Sequence, residues 1–116
     1  MNLKEIAKFQ RDFDKRHGWD WSKSSKEEKI KHLQYGTIAL AGEIGEFANT
    51  LKKILREFNF SKEIPKEEHE KLKEEIIDIF IYFIKIADQL LELDIEKEYL
   101  KKMEKNEKRF AKFKCK

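Results

Sequence analysis

Cysteine is nearly absent from this sequence: Cys115 stands alone, so no intramolecular disulfide can form and no thiolate cluster can hold a metal. Proline and glycine are scarce too, one and four in 116 residues, which leaves few positions able to interrupt a helix. No long apolar run occurs. Ile76 to Ala87 comes nearest, and Asp78 and Lys85 break it well short of the ~20 residues a bilayer requires, so no membrane association is expected. The opening MNLKEIAKFQRDFDK carries charge every few residues and lacks the apolar core and cleavage site of an export signal; the expected location is the cytoplasm. Neither sign of charge dominates. Lys and Arg number 26 against 23 Asp and Glu, the net charge is +3, and the lysines are dispersed, so nucleic acid is not an expected partner while a small phosphorylated ligand fits.

What the chain does contain is helix formers and charge. Its charged fraction of 42% is well above the ~25% of ordinary soluble domains, and 40% hydrophobic content suffices for one core, so residues 1–116 are expected to form a single domain. Four helical segments are legible. The first, about Leu3 to Lys15, carries Leu3, Ile6, Phe9 or Gln10, and Phe13 at helical spacing. His17-Gly18-Trp19-Asp20-Trp21 ends it in a loop, and Ser24 or Ser25 is placed to cap the next helix.

The second helix is expected from about Lys26 to Phe58, with a stripe of Ile30, Leu33, Ile38, Ala41, Ile44, Ala48, Leu51 and Leu55. Asn59 to Pro65 reads as a break, because proline disfavours helix in the residue before it and suits a helix start. The third helix then runs to about Leu93, and a fourth from about Ile95 to Phe113. The stretch Ile76 to Ile84 has strand-like β-branched content, but its uninterrupted helical surroundings decide for helix. A helix apolar on nearly every side must be covered on every side, and a chain this short has few elements to do so. Self-association is the expected remedy.

Acidic residues three apart occur at Glu43/Glu46, Glu67/Glu70, Glu75/Asp78 and Glu104/Glu107, about as often as chance provides. Context separates them. Glu67/Glu70 and Glu104/Glu107 lie among lysines and glutamates and read as solvated faces. Glu43 and Glu46 stand within Ala39-Leu40-Ala41-Gly42-Glu43-Ile44-Gly45-Glu46-Phe47-Ala48, and Glu75 and Asp78 stand one turn apart at the start of the apolar segment. Burying several carboxylates together is costly unless they are protonated, paired with cations or bound to metal. Two pairs on two helices suit a shared metal, and oxygen ligands select a hard cation, Mg²⁺ or Mn²⁺. Pairing with Lys52, Lys53 or Lys85 is the competing reading. Gly42 and Gly45, each costing about 1 kcal/mol inside a helix, suit close approach of a neighbouring helix or ligand. His17, His32 and His69 have no supporting context and stay outside the site.

In order, Glu43-Ile44-Gly45-Glu46 and Glu75-Ile76-Ile77-Asp78 match the ExxE and ExxD pattern, and Lys102-Met103-Glu104-Lys105-Asn106-Glu107-Lys108-Arg109-Phe110 matches a downstream K-M-x-x-N-x-x-R-aromatic signature. Together they resemble the MazG-like all-α nucleoside triphosphate pyrophosphohydrolases, over roughly Gln10 to Phe110, and most closely the small dCTP pyrophosphatase-type branch. The resemblance implies a four-helix bundle-type fold assembled as a homodimer or homotetramer. It implies hydrolysis of a nucleoside triphosphate to the monophosphate and pyrophosphate, in nucleotide-pool house-cleaning. By the same likeness, Glu43, Glu46, Glu75 and Asp78 hold Mg²⁺; Lys102, Asn106 and Arg109, with Lys53, meet phosphates or sugar; and Gln10, Trp19, Trp21 and Tyr82 form the base wall. Two other readings stand beside this one. The first is a phosphoribosyl-ATP pyrophosphohydrolase, against which the tryptophan loop argues mildly; the second is a non-catalytic helical bundle that binds nucleotide or metal for regulation.

Overall fold

The computed structural model describes residues 1–115, and all of its regular structure is helical. Helix α1 spans Leu3–Arg16, α2 Lys26–Ser61, α3 Lys66–Ile84 and α4 Ile95–Arg109. Among the described residues there is no strand, and no helix is long and apolar enough to cross a membrane. The all-α class expected from the sequence is what the chain adopts.

Local chemistry explains the boundaries. Asn2 caps α1 by accepting from the Glu5 amide at 2.9 Å. Ser25, not Ser24, caps α2 in a reciprocal box: its Oγ accepts from the Glu28 amide at 3.2 Å while the Glu28 carboxylate accepts from the Ser25 amide at 3.0 Å. Helix α2 runs to Ser61, three residues past the expected Phe58, because Lys62 takes a left-handed conformation (φ 63°) and donates to the Phe58 carbonyl. Pro65 then opens α3. At 36 residues, α2 should be about 54 Å long, and it sets the molecule's 52 Å long axis.

The third helix does not continue unchanged to Leu93 as expected. After Ile84 the chain widens into a π-helix over Lys85–Leu90, visible in the bond from the Leu91 amide to the Ile86 carbonyl at 3.0 Å. This turn buries Lys85, Ala87, Gln89 and Leu90 together. Helix α4 stops at Arg109, short of the expected Phe113, and a 3₁₀ turn covers Ala111–Phe113.

The core is small and sits at one end, where α1, the π-helix and the N-terminal part of α2 meet around Ala7, Trp21, Ile84, Ala87 and Leu90. On α1 the inward positions include Ala7, Gln10 and Asp14, whereas Phe9 is 64% exposed. The α2 stripe read from sequence faces largely outward: Ile38 is 73% exposed, and Ile30, Ile44, Leu51 and Leu55 are exposed as well. The face of α2 turned to its neighbours instead buries Gly36, Thr50 and Ile54. Ile76, Ile77 and Phe83 of α3 are also open to solvent. With a radius of gyration of 18.0 Å against the ~13 Å of a compact chain this long, the molecule is an extended helical hairpin carrying uncovered apolar surface.

Candidate active site

Two groups of side chains flank Tyr82: carboxylates on α2 and α3, and a cavity built from the loop between α1 and α2, the start of α2, Tyr82 and the π-helix. The first is the carboxylate set. Glu75 is buried, Glu43 and Asp78 are half-buried, and Glu46 is exposed. The Glu43 carboxyl is held above its ordinary 4.5, first by burial, then by the charges of Glu46, Asp78 and Glu75 around it. Oxygens Glu43 Oε2 and Glu75 Oε1 are buried and accept no hydrogen bond. Among the described residues, none of the four acids is in an ion pair; Lys85, one of the expected counter-ions, reaches Asp14 instead.

That arrangement fits a hard cation in its chemistry. Every donor is a carboxylate oxygen, two of them are desolvated without partner, and the neighbouring negative charges raise the cost of ionising Glu43. As the side chains stand, no three His, Cys, Asp or Glu among the described residues converge closely enough to hold a metal. Binding would therefore draw them inward by side-chain rotation, for which the exposed Glu46 and the half-buried Glu43 and Asp78 have room.

The second group is a cavity of about 600 Å³ walled by aromatic rings, Lys85 and the polar side chains of Asp20, Ser24 and Glu28. Trp19, Trp21 and Tyr82, three residues of the expected base wall, all line it. Their situations differ. Trp21 is only 7% exposed, stacked on His32 with ring centres 5.3 Å apart, and Tyr35 meets it edge-on. Trp19 is 55% exposed and stacks on His17. The backbone at Gly36 makes room: a Cβ there would approach both the Trp21 ring and Ile86 to 3.3 Å. Tyr82 is kept above its ordinary 10.0 by burial first, then by Tyr35, Glu43, Asp14 and Asp78, so it remains a neutral phenol bordering both groups.

Behind the cavity lies a buried polar network that sequence reading did not assemble. Asp14 is 1% exposed; its two oxygens accept from Gln10 Nε2 at 3.1 Å and Gln89 Nε2 at 2.7 Å, and its backbone carbonyl accepts from the Trp19 amide at 2.7 Å. Gln89, fully buried, uses its Oε1 to accept from the Trp21 amide at 3.1 Å. Gln10, expected on the base wall, thus supports that wall through Asp14. His32, without context in the sequence, backs Trp21.

The residues expected to meet phosphates or sugar lie apart from the carboxylate set within one chain. Lys53 lies toward the far end of the hairpin beside Thr50, Glu67, Glu68 and Lys71. Helix α4 packs on α1. Lys102 and Arg109 are exposed, Asn106 turns to the Met103 sulfur at 3.9 Å, and Arg109 lies over the Phe110 ring. None of the three bonds to the carboxylate set. Gly42 and Gly45 have nothing within 4 Å of where a Cβ would stand, so no close approach within this chain accounts for them.

Known proteins share part of this arrangement. A family profile described as dUTPase, within the all-α MazG-like nucleotide pyrophosphatases, matches residues 2–91, which include both carboxylate pairs and the aromatic cavity and end before α4. It lends no support to the dCTP pyrophosphatase-type branch. Gene 37 protein of Mycobacterium phage L5, whose name states no activity, is 40% identical over 63 residues, 54% of each chain. The chain therefore spans about half the length of this curated relative. No solved structure matches it.

Proposed function

The chain belongs to the dUTPase family, whose members are nucleotide-hydrolysing enzymes, and from that membership we propose a Mg²⁺-dependent pyrophosphohydrolase that converts dUTP and water to dUMP and pyrophosphate. The observation that carries the reading is the pair of buried, unpartnered carboxylate oxygens of Glu43 and Glu75, set beside an aromatic cavity with Tyr82 between them. A phosphoanhydride chain is polyanionic, so four carboxylates can serve it only through a cation that both share. Mg²⁺, with Mn²⁺ as substitute, would neutralise the triphosphate and lower the cost of charge on the leaving pyrophosphate. The protein's own work is to hold that charge with Glu43, Glu46, Glu75 and Asp78, orient the attacking water from one of them, and seat the base against Trp19 and Tyr82.

We assign the phosphate arm, Lys102, Asn106 and Arg109, to a second copy of the chain. Within one chain α4 packs on α1 and these side chains do not bond to the acids, while the outward apolar faces of α2 and α3 need cover. Nucleotide-pool maintenance in the cytoplasm is the role this activity serves. With dUTP, dCTP, dTTP, dATP, dGTP and phosphoribosyl-ATP offered in turn with Mg²⁺, pyrophosphate should be released fastest from dUTP and not at all after chelation. Light scattering on the same sample should give a dimer or tetramer. Release from none of these substrates, or a stable active monomer, would sink the corresponding half of the reading.

A further inference from the structure

We propose that Lys85 reads the base in the aromatic cavity, its ammonium accepting only a pyrimidine that presents a carbonyl oxygen where cytosine carries an amino group. This rests on the nucleotide-binding reading above and extends it to the choice of base.

A lysine this deeply buried is rare unless it is paired, and the Lys85 side chain is nine-tenths buried on the π-helix. Its pairing is incomplete. Asp14 Oδ2 stands 3.6 Å from Nζ, beyond hydrogen-bond length, and the Trp19 carbonyl at 3.5 Å is at the limit of one. An ammonium has three N–H donors, so capacity is left over, and Lys85 lines the cavity with Nζ 4.1 Å from the centre of the Trp21 ring. The cation is fixed from behind: Gln10 and Gln89 hold Asp14, and Gln89 also holds the Trp21 backbone, so the wall and the counter-ion move together.

The same features choose between phosphate and base. Asp14 already offsets the charge of Lys85, and the wall around it combines the rings of Trp19, Trp21, Tyr35 and Tyr82 with the carboxylates of Asp20 and Glu28, so the site offers little net attraction for a polyanion. It offers directed donors beside flat apolar surface, which suits a neutral heterocycle with an acceptor edge. Uracil has carbonyls at C2 and C4. Cytosine replaces the second with an amino group, whose N–H donors would face the donors of Lys85. A site built to donate to one group rejects the analogue lacking it, and a charge-assisted hydrogen bond supports roughly a ten- to hundredfold preference.

The test is binding of monophosphates without metal, so that turnover is not involved and a failure of the hydrolase reading would be seen separately. Titration calorimetry should find dUMP bound at least about tenfold more tightly than dCMP, and than the deoxynucleotide of pyrimidin-2-one, which lacks any substituent at C4. In the D14N/K85M protein, which removes both charges and keeps the shape, dUMP should weaken ten- to hundredfold while dCMP changes less than about threefold. Equal weakening of the two nucleotides, or none, in a double variant with wild-type helicity would overturn the proposal. If that variant does not fold, the wild type decides alone: equal affinity for dUMP and the pyrimidin-2-one nucleotide would overturn it as well.

Discussion

Charge is buried twice in this protein, on either side of Tyr82, and the two places handle it in opposite ways. Around Asp14 the chain supplies the partners: two glutamine amides and a lysine meet its carboxylate, and one of those glutamines ties in the tryptophan loop. Around Glu43 and Glu75 the chain supplies only more negative charge and leaves two oxygens without a partner. A desolvated polar group is costly unless it is bonded, so a fold retains an unbonded one only where something outside the chain compensates. The first cluster is therefore a structural fastening, and the second is the place proposed above for a cation. Substitution should separate them: loss of activity without loss of stability at one, and the converse order at the other.

The largest effect is expected at the carboxylates. Glu75→Gln and Asp78→Asn should each lower Mg²⁺-dependent pyrophosphate release by about a thousandfold or more, as removal of several kcal/mol of charge stabilisation requires. Their metal-free melting temperatures should hold or rise, because each change removes one of several crowded like charges. A variant that melts early as well would mean that the acids hold the fold, and the contrast would collapse.

Next comes Asp14→Ala. It strands the Lys85 ammonium, leaves Gln10 and Gln89 without their acceptor, and should cost about 3 kcal/mol in chemical denaturation, the low end for breaking a buried ion pair. Asp14→Asn, whose one amide oxygen still accepts from one glutamine while its amino group replaces the other acceptor, should cost less than Asp14→Ala. If the two variants were equally stable, the network would be ordinary packing and the asymmetry between the clusters would lose its first half.

These clusters were unequally legible in the sequence. Glu43, Glu46, Glu75 and Asp78 stood out because ionisable residues in an apolar stretch of helix break a local rule, and local rules are what one sequence displays. Helix starts were readable for the same reason, through the serines Ser24 and Ser25 and through Pro65. Asp14 gave no such signal: it lies among Arg11, Asp12, Lys15 and Arg16, and its burial depends on Gln89, 75 residues away. The π-helix was hidden because the widening covers only the six residues Lys85–Leu90, too few to show a period different from that of an α-helix. The outward stripe of α2 was visible as a stripe, but amphipathicity does not say whether the partner is the same chain or another copy.

The smallest effect is the one that tests the physics most directly. Burial and neighbouring acids raise the Glu43 carboxyl above its ordinary 4.5, so the folded protein holds this proton more tightly than the unfolded chain does. Stability linked to Glu43 is then fully present below 4.5 and is lost as pH rises through that value toward the raised one. Glu43→Gln removes the titration. The variant's melting temperature relative to the wild type should therefore climb as pH is taken upward from about 4, with metal absent, and level off once Glu43 is ionised in both states. Saturating Mg²⁺ should shrink the gap by stabilising the charged wild-type site alone. A difference that stays flat with pH would mean that Glu43 is not crowded by Glu46, Glu75 and Asp78 in solution, and the opening for a cation would have no electrostatic basis.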